Sequence, residues 1–180
     1  MLQKHLQVFS HTTRKERLCI YRTARNLPQN SRVLEIGSHL GSSALLICLG
    51  IQSKGGRLYC VDTWNNETMP DGLKDTFEEF RLNTLQYSKI VTPIRKNSCS
   101  LAFADLNTCL DMAFIDGDHS EKAVRGDFEK VARYLKPHGL LLFHDVTHYP
   151  GVNKVVGEAM AASKWQLIRL VDSLAVLEKV

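Results

Sequence analysis

The stretch Val33-Leu-Glu-Ile-Gly-Ser-His-Leu-Gly-Ser-Ser43 restricts the fold more than any other part of the chain. Val33 to Ile36 have strand character, Gly37 opens a loop, and Leu40 to Ile51 read as a helix. A buried strand, a glycine turn and a helix N-terminus, in that order, belong to open α/β sheets. They make a site for nucleotide-like ligands, because glycines let backbone approach closely and the helix end offers free N–H groups. Glu35 is the unusual residue. A carboxylate in an apolar strand is costly unless a cation or a hydrogen-bond donor meets it. Its partner is either a basic side chain of the fold or a ligand.

The remaining chain alternates strand and helix. Arg14 to Leu27 reads as a helix with Leu18, Tyr21, Ala24 and Leu27 on one side, capped by Thr12 or Thr13 and closed by Pro28. Arg57 to Val61 is a second buried strand. Thr63 to Gly72 follows as a loop with an exposed-looking Trp64, and Leu73 to Tyr87 has helical spacing. Ile90 to Ile94 is a strand whose Pro93 suits a sheet edge. Ser98 to Leu106 is a short helix, Asp111 to Ile115 a strand, and Glu121 to Leu135 a helix stopped by Lys136-Pro-His-Gly139. Leu140 to Phe143 is a strand and Val152 to Ala162 a helix. Trp165 to Val171 and Leu174 to Leu177 are strands joined by the tight turn Asp172-Ser173, hence antiparallel. The expected fold is α/β, a Rossmann-like, doubly wound, mostly parallel seven-stranded sheet with helices on both faces and a C-terminal antiparallel β-hairpin.

A chain of 180 residues suits one domain, 1–180, with residues 1–16 as an arm and 17–180 as the core. With 44% hydrophobic and 23% charged residues it has the composition of a soluble globular protein. The longest apolar run, Ala44 to Leu49, is too short to span a bilayer, and the N-terminus lacks a signal-peptide pattern, so a cytoplasmic protein is expected. The five cysteines form no Cys-x-x-Cys pair, which argues for free thiols over disulfides or a zinc site. The net charge of +4 comes partly from Arg14, Lys15, Arg17, Arg22 and Arg25, read as a solvated helix face. So small an excess, without a base-amine motif, argues against nucleic acid as a partner.

Polar residues collect at the strand ends: Glu35-Ile-Gly37, Asp62, Asp116 and His144-Asp145. The carboxyl ends of the strands line the crevice of an open α/β sheet, so these residues should converge. A single strand-end Asp often only caps a helix; four such ends together favour a site. Asp62 is placed to accept hydrogen bonds from ribose hydroxyls. Trp64 either stacks on an adenine or packs its loop to the core, and Asn97-Ser98 could touch the base edge. Asp116 and Asp145 could share a hard divalent cation through oxygen, with His144 as a third ligand. Imidazole suits manganese, zinc or iron better than magnesium. The alternative is that these carboxylates cap helices or bind a ligand amine. His119, three residues after Asp116, is a candidate base, with an ordinary pKa of about 6.5.

These residues resemble a family. Glu35-x-Gly37-x-x-x-Gly41-x-Ser43 resembles the cofactor loop of class I S-adenosylmethionine-dependent O-methyltransferases of the catechol type. Val61-Asp-Thr-Trp-Asn-Asn-Glu67, Phe114-Ile-Asp-Gly-Asp-His-Ser120 and Gly139-Leu-Leu-Leu-Phe-His-Asp145 are similar to the methyltransferase 24 family, relatives of macrolide-sugar O-methyltransferases. The resemblance covers roughly residues 15 to 160. It implies that Glu35, Gly37 and Gly41 hold the methionine part of S-adenosylmethionine and Asp62 its ribose. Ser38, Ser43, Trp64, Ser98 and Asp116 are further candidates for the cofactor site. Asp116, His144 and Asp145 would hold Mg2+ or Mn2+, and His119 would be the general base beside Asp116. There is one departure: His144 stands where the characterised metal-dependent relatives carry an acid.

The implied reaction is methyl transfer from the sulfonium to a hydroxyl of a sugar or other small-molecule acceptor. A nicotinamide-dependent oxidoreductase on a related fold is the second reading. Against it, the loop is not Gly-x-Gly-x-x-Gly and no Tyr-x-x-x-Lys pair is present. A non-catalytic S-adenosylmethionine-binding protein is the third. Only residues 1–16, 63–72 and 146–152 are free to shape an acceptor pocket. So open a crevice suits a bulky or tethered acceptor such as a glycan, or closure by a second subunit in a homo-oligomer.

Overall fold

The computed structural model describes residues 2–67 and 72–180. Its elements in chain order are α1 (Leu2–His5), α2 (Arg14–Arg25), β1 (Arg32–Ile36), α3 (Ser42–Ile51), β2 (Arg57–Asp62), α4 (Phe77–Thr84) and β3 (Val91–Arg95). There follow α5 (Phe103–Leu106), β4 (Leu110–Ile115), α6 (Glu121–Tyr134), β5 (Leu135–Phe143), α7 (Pro150–Ala161), β6 (Trp165–Val171) and β7 (Leu174–Lys179). The strands form one seven-stranded sheet of order β3-β2-β1-β4-β5-β7-β6. All pairings are parallel up to β5; β7 then runs antiparallel to both β5 and β6. The expected fold class is therefore present, and β3, with Pro93, lies at the sheet edge.

The period-two alternation of each central strand divides the core into two layers. Val33, Met112, Phe114, Leu142 and Val176 pack against α2 and α3 on one face. Leu34, Ile36, Ala113, Ile115, Leu141 and Phe143 pack against α6 and α7 on the other. Because β1 and β4 are both buried on each face, their sequences are nearly continuous apolar runs, which makes the polar residues at their C-terminal ends stand out.

Several boundaries differ from the sequence reading for local reasons. Leu73 is 81% exposed and precedes the helix, which starts only at Phe77. The residues between are used by the loop: Lys74 N–H donates to the Asn65 carbonyl and Thr76 N–H to that of Trp64. The stretch from Ser98 to Leu106 splits into a single 3-10 turn, Ser98–Ser100, and α5. Helix α6 does stop near the expected Lys136-Pro-His-Gly139, but those four residues form a bulge inside β5, between Leu135 paired with Leu110 and Leu140 paired with Met112. The N-terminal arm is ordered and docked. Arg17, read as part of a solvated face, is buried and donates to the carbonyls of His5, Leu6 and Val8. Residues 68–71 of the expected 63–72 loop lie outside the described residues.

Trp64 corrects the sequence reading most clearly. Its side chain is fully buried, with ring centroids 4.8 Å from both Phe77 and Phe80, and its indole N–H donates to the His39 carbonyl at 2.9 Å. The ring is core, with no face left for an adenine, and it pins the glycine loop from beneath. Trp64→Ala should cost about 3–5 kcal/mol of stability by urea denaturation. A loss below about 1 kcal/mol would contradict this placement.

Candidate active site

Strands β2, β1, β4 and β5 all end at one edge of the sheet, and a cavity of about 890 Å³ opens above them. That size is within the usual range for ligand sites. Gly37, Ser38, Ser43, Asp62, Ser98 and Asp116, among the residues read as cofactor-binding, line it. His119, His144 and Asp145 line the same cavity. Glu35, Gly41 and Trp64 do not. Glu35 and Trp64 are buried beneath the cavity wall, and Gly41 turns the chain into α3.

The glycine loop is shaped as much by the protein as by any ligand. Gly37 has φ +86°, and a Cβ there would lie 2.0 Å from the Asp116 carbonyl oxygen. Gly37 is thus required where the loops after β1 and β4 cross. Asp62 receives two backbone donors, His39 N–H at 2.8 Å and Trp64 N–H at 2.7 Å, so its carboxylate fixes the loop whose residues line the cavity.

Glu35 is completely buried. Its Oε2 accepts the Ser38 hydroxyl at 2.7 Å and lies 3.4 Å from Cys60 Sγ, whereas Oε1 has no hydrogen-bond partner. The basic partner within the fold does not exist among the described residues. Burial pushes this carboxyl up to about 7, partly opposed by hydrogen bonds from Ser43 and Ser38. An unpaired buried acceptor one layer under a cleft fits a ligand ammonium, directly or through water.

At the far end, Asp116, His144 and Asp145 bring one ligand atom each within 4.8 Å of one another. Their placement follows from the parallel register: Ile115 pairs with Phe143, so the residues that follow each of these lie side by side. His144 is buried, with Nδ1 at 3.1 Å from Asp116 Oδ1 and 3.2 Å from Asp145 Oδ2. Neither approach has the angle of a hydrogen bond, which leaves Nδ1 a buried nitrogen without a directional partner. A set of two carboxylate oxygens and one imidazole nitrogen around such an orphan fits a divalent cation. His119 stacks on Tyr149, with centroids 4.1 Å apart and planes at 19°, and its Nε2 lies 3.1 Å from Asp145 Oδ2.

The electrostatics correct one expectation. Burial works against a charged His119, but the adjacent Asp116 and Asp145 outweigh it and raise the ring to about 9. His144 is raised in the same way, and the surrounding histidines hold Asp145 well below the usual carboxylate range despite its burial. The ordinary value of about 6.5 therefore does not hold here, because the two carboxylates favour the charged form of His119.

Phe9, Ser10 and His11 of the N-terminal arm line the cavity together with His148 and Tyr149, within the stretches 1–16 and 146–152 expected to shape an acceptor pocket. One feature was not found from the sequence. Glu16, in the first turn of α2, is 1% exposed and lies 3.2 Å from His144 Nε2. Its Thr-x-x-Glu spacing from Thr13 was legible as a capping box, but nothing local pointed to a partner 128 residues away.

A family described as a methyltransferase domain, Methyltransf_24, matches residues 34–146. The chain belongs to this methyltransferase family. Two curated relatives are the uncharacterized proteins y4gI of Sinorhizobium fredii, 26% identical over 117 residues, and R132 of Acanthamoeba polyphaga mimivirus, 29% identical over 139 residues. The matches cover 63% and 71% of this chain, but it spans only 13% and 60% of those relatives. Among solved structures, the O-methyltransferase NovP superposes with TM-score 0.76 at 18% identity, covering 96% of this chain and 83% of that one. The O-methyltransferase from Bacillus cereus in complex with SAH gives TM-score 0.71 at 17% identity, covering 99% and 90%. CalS11, a TDP-rhamnose 3'-O-methyltransferase, gives TM-score 0.65 at 14% identity, covering 91% and 76%. At these identities the structures establish a shared fold.

The raised Glu35 pKa sets a pH signature for the cofactor-free methyltransferase domain. The folded carboxyl holds its proton more tightly than the unfolded one at 4.5, so its contribution to stability is complete below that pH and is lost as pH rises through about 7. The full swing is roughly 3 kcal/mol. Glu35→Gln should flatten the fall in unfolding free energy between pH 5 and about 8, measured by urea titration. An unchanged slope in the variant would refute the assignment.

Proposed function

We propose that this cleft transfers the methyl group of S-adenosylmethionine to a hydroxyl of a sugar or other small-molecule acceptor, with a divalent cation on Asp116, His144 and Asp145. What carries the reading is one continuous cavity that joins the Gly37–Ser43 loop and Asp62 to the Asp116–His119–Asp145 cluster. The family match, the SAH complex of the Bacillus cereus relative in fold, and the sugar acceptor of CalS11 support it. So does the charge of the wall. Among the described lining residues Lys96 is the one Lys or Arg, and its ammonium is ion-paired with Asp105. Such a lining suits a phosphate-free cofactor better than a nicotinamide dinucleotide.

When bound, S-adenosylmethionine supplies an electrophilic sulfonium methyl, and the cation supplies positive charge that lowers the pKa of a nearby hydroxyl. The chain's own residues do the rest. Glu35, held by Ser38, offers its free oxygen to the amino acid end of the cofactor. Asp62 holds the loop that encloses the cofactor. His119, its plane set by Tyr149, takes the hydroxyl proton as the oxygen–carbon bond forms and the carbon–sulfur bond breaks. Asp116 and Asp145, which raise His119 toward its charged form, would do so less with a cation held between them. Alignment of oxygen, methyl and sulfur in one cavity supplies much of the acceleration.

Methyl transfer from labelled S-adenosylmethionine to a panel of phenols and sugars tests the reading. Chelation by EDTA should abolish turnover, and Mn2+ should restore it better than Mg2+ because one donor is imidazole. His119→Ala should lower kcat by about 10²–10⁴-fold with SAH affinity retained. Full activity after chelation would remove the metal role, and unchanged turnover in the variant would remove the base role.

A further inference from the structure

We infer that Glu16 is a positioning residue for the cation site: it holds the Nε2 hydrogen of His144, so that the Nδ1 lone pair faces Asp116 and Asp145. The inference rests on the metal reading proposed above and names a residue that reading does not need. Its basis is the saturation of Glu16 by donors. Oε1 accepts the Ser173 backbone N–H at 2.8 Å and the Ser173 hydroxyl at 2.7 Å. Oε2 accepts the Thr13 N–H at 2.7 Å and lies 3.2 Å from His144 Nε2. A buried carboxylate surrounded in this way is an acceptor only, so the histidine nitrogen that faces it must carry a hydrogen.

The geometry separates this role from ordinary helix capping. A capping box needs only the contacts between Thr13 and Glu16, and Gln serves there as well as Glu. Here the same carboxylate also clamps the β6–β7 turn at Ser173, whose carbonyl accepts the Val146 N–H just beyond Asp145. Helix α2 is thereby tied to the hairpin and to the end of β5 around one buried imidazole. An outer carboxylate that fixes a histidine tautomer and increases its basicity is a common supporting partner of metal ligands. It also accounts for a histidine at this position. With Glu16 behind it, a neutral His144 can present a lone pair where an acid would present a charge.

The test compares wild type with Glu16→Gln, which keeps the volume and a capping partner but removes the charge. Mn2+ affinity is read by electron paramagnetic resonance of the free ion, and SAH affinity without metal by calorimetry. The expected result is Mn2+ binding weakened roughly 10–100-fold with SAH affinity within about twofold. Equal Mn2+ affinity in the two proteins, with SAH binding intact, would overturn the inference. Wild type that binds SAH but no Mn2+ would remove the metal reading itself and Glu16's role with it. A second measurement needs no Glu16 variant: the 15N-resolved ring spectrum of Zn2+-loaded wild type, with His144 identified by its loss in His144→Gln. An Nε2–H tautomer supports the inference, and an Nδ1–H or doubly protonated ring overturns it.

Discussion

Two carboxylates at the ends of adjacent parallel strands dominate this molecule. Asp116 and Asp145 lie beside each other in a partly buried cleft, where like charges cannot persist without compensation. Three histidines meet them, His119, His144 and, on Asp145 alone, His148, and the first two are driven toward their charged forms as a result. In the function proposed above, a divalent cation on the same oxygens would compensate that charge, and the orphaned Nδ1 of His144 and the raised His119 both lie where it would sit.

The sheet brings these groups together through its register. Residues aligned across β1, β4 and β5 place Gly37, Asp116 and His144 at a common edge. The crossing of loops is so close that Gly37 admits no side chain against the Asp116 carbonyl. Below the edge, Glu35 holds an unused oxygen in the core, and the cost of that burial is tolerable while the carboxyl keeps its proton. The unpaired Glu35 oxygen and the Asp116–Asp145 pair thus lie near opposite ends of the proposed site.

The apolar strands, their order of appearance and the acidic residues at their ends were legible because a buried parallel strand leaves a continuous apolar run that stops abruptly. Asp116, His119, His144 and Asp145 came together as that pattern implied. The misreadings have physical causes. Trp64 looked exposed among polar neighbours, but a positive φ at Trp64 turns its ring inward onto Phe77 and Phe80. Arg17 looked like a solvated charge, but three carbonyls at the end of a short N-terminal helix claim its guanidinium. Glu16 read locally as a cap, and its contact with His144 depends on how α2 docks against the β6–β7 turn. His119 was found by position, while its protonation depends on charges that only the assembled site brings near.

The most direct measurement of the central claim is a crystal structure of the protein with SAH and Mn2+, using the anomalous signal of manganese to place the ion. The account predicts SAH along the Gly37–Ser43 loop with its ribose on the Asp62 side, and manganese on Asp116, Asp145 and His144 Nδ1. SAH bound in that cleft with no manganese on those three residues, or bound elsewhere on the protein, would contradict it.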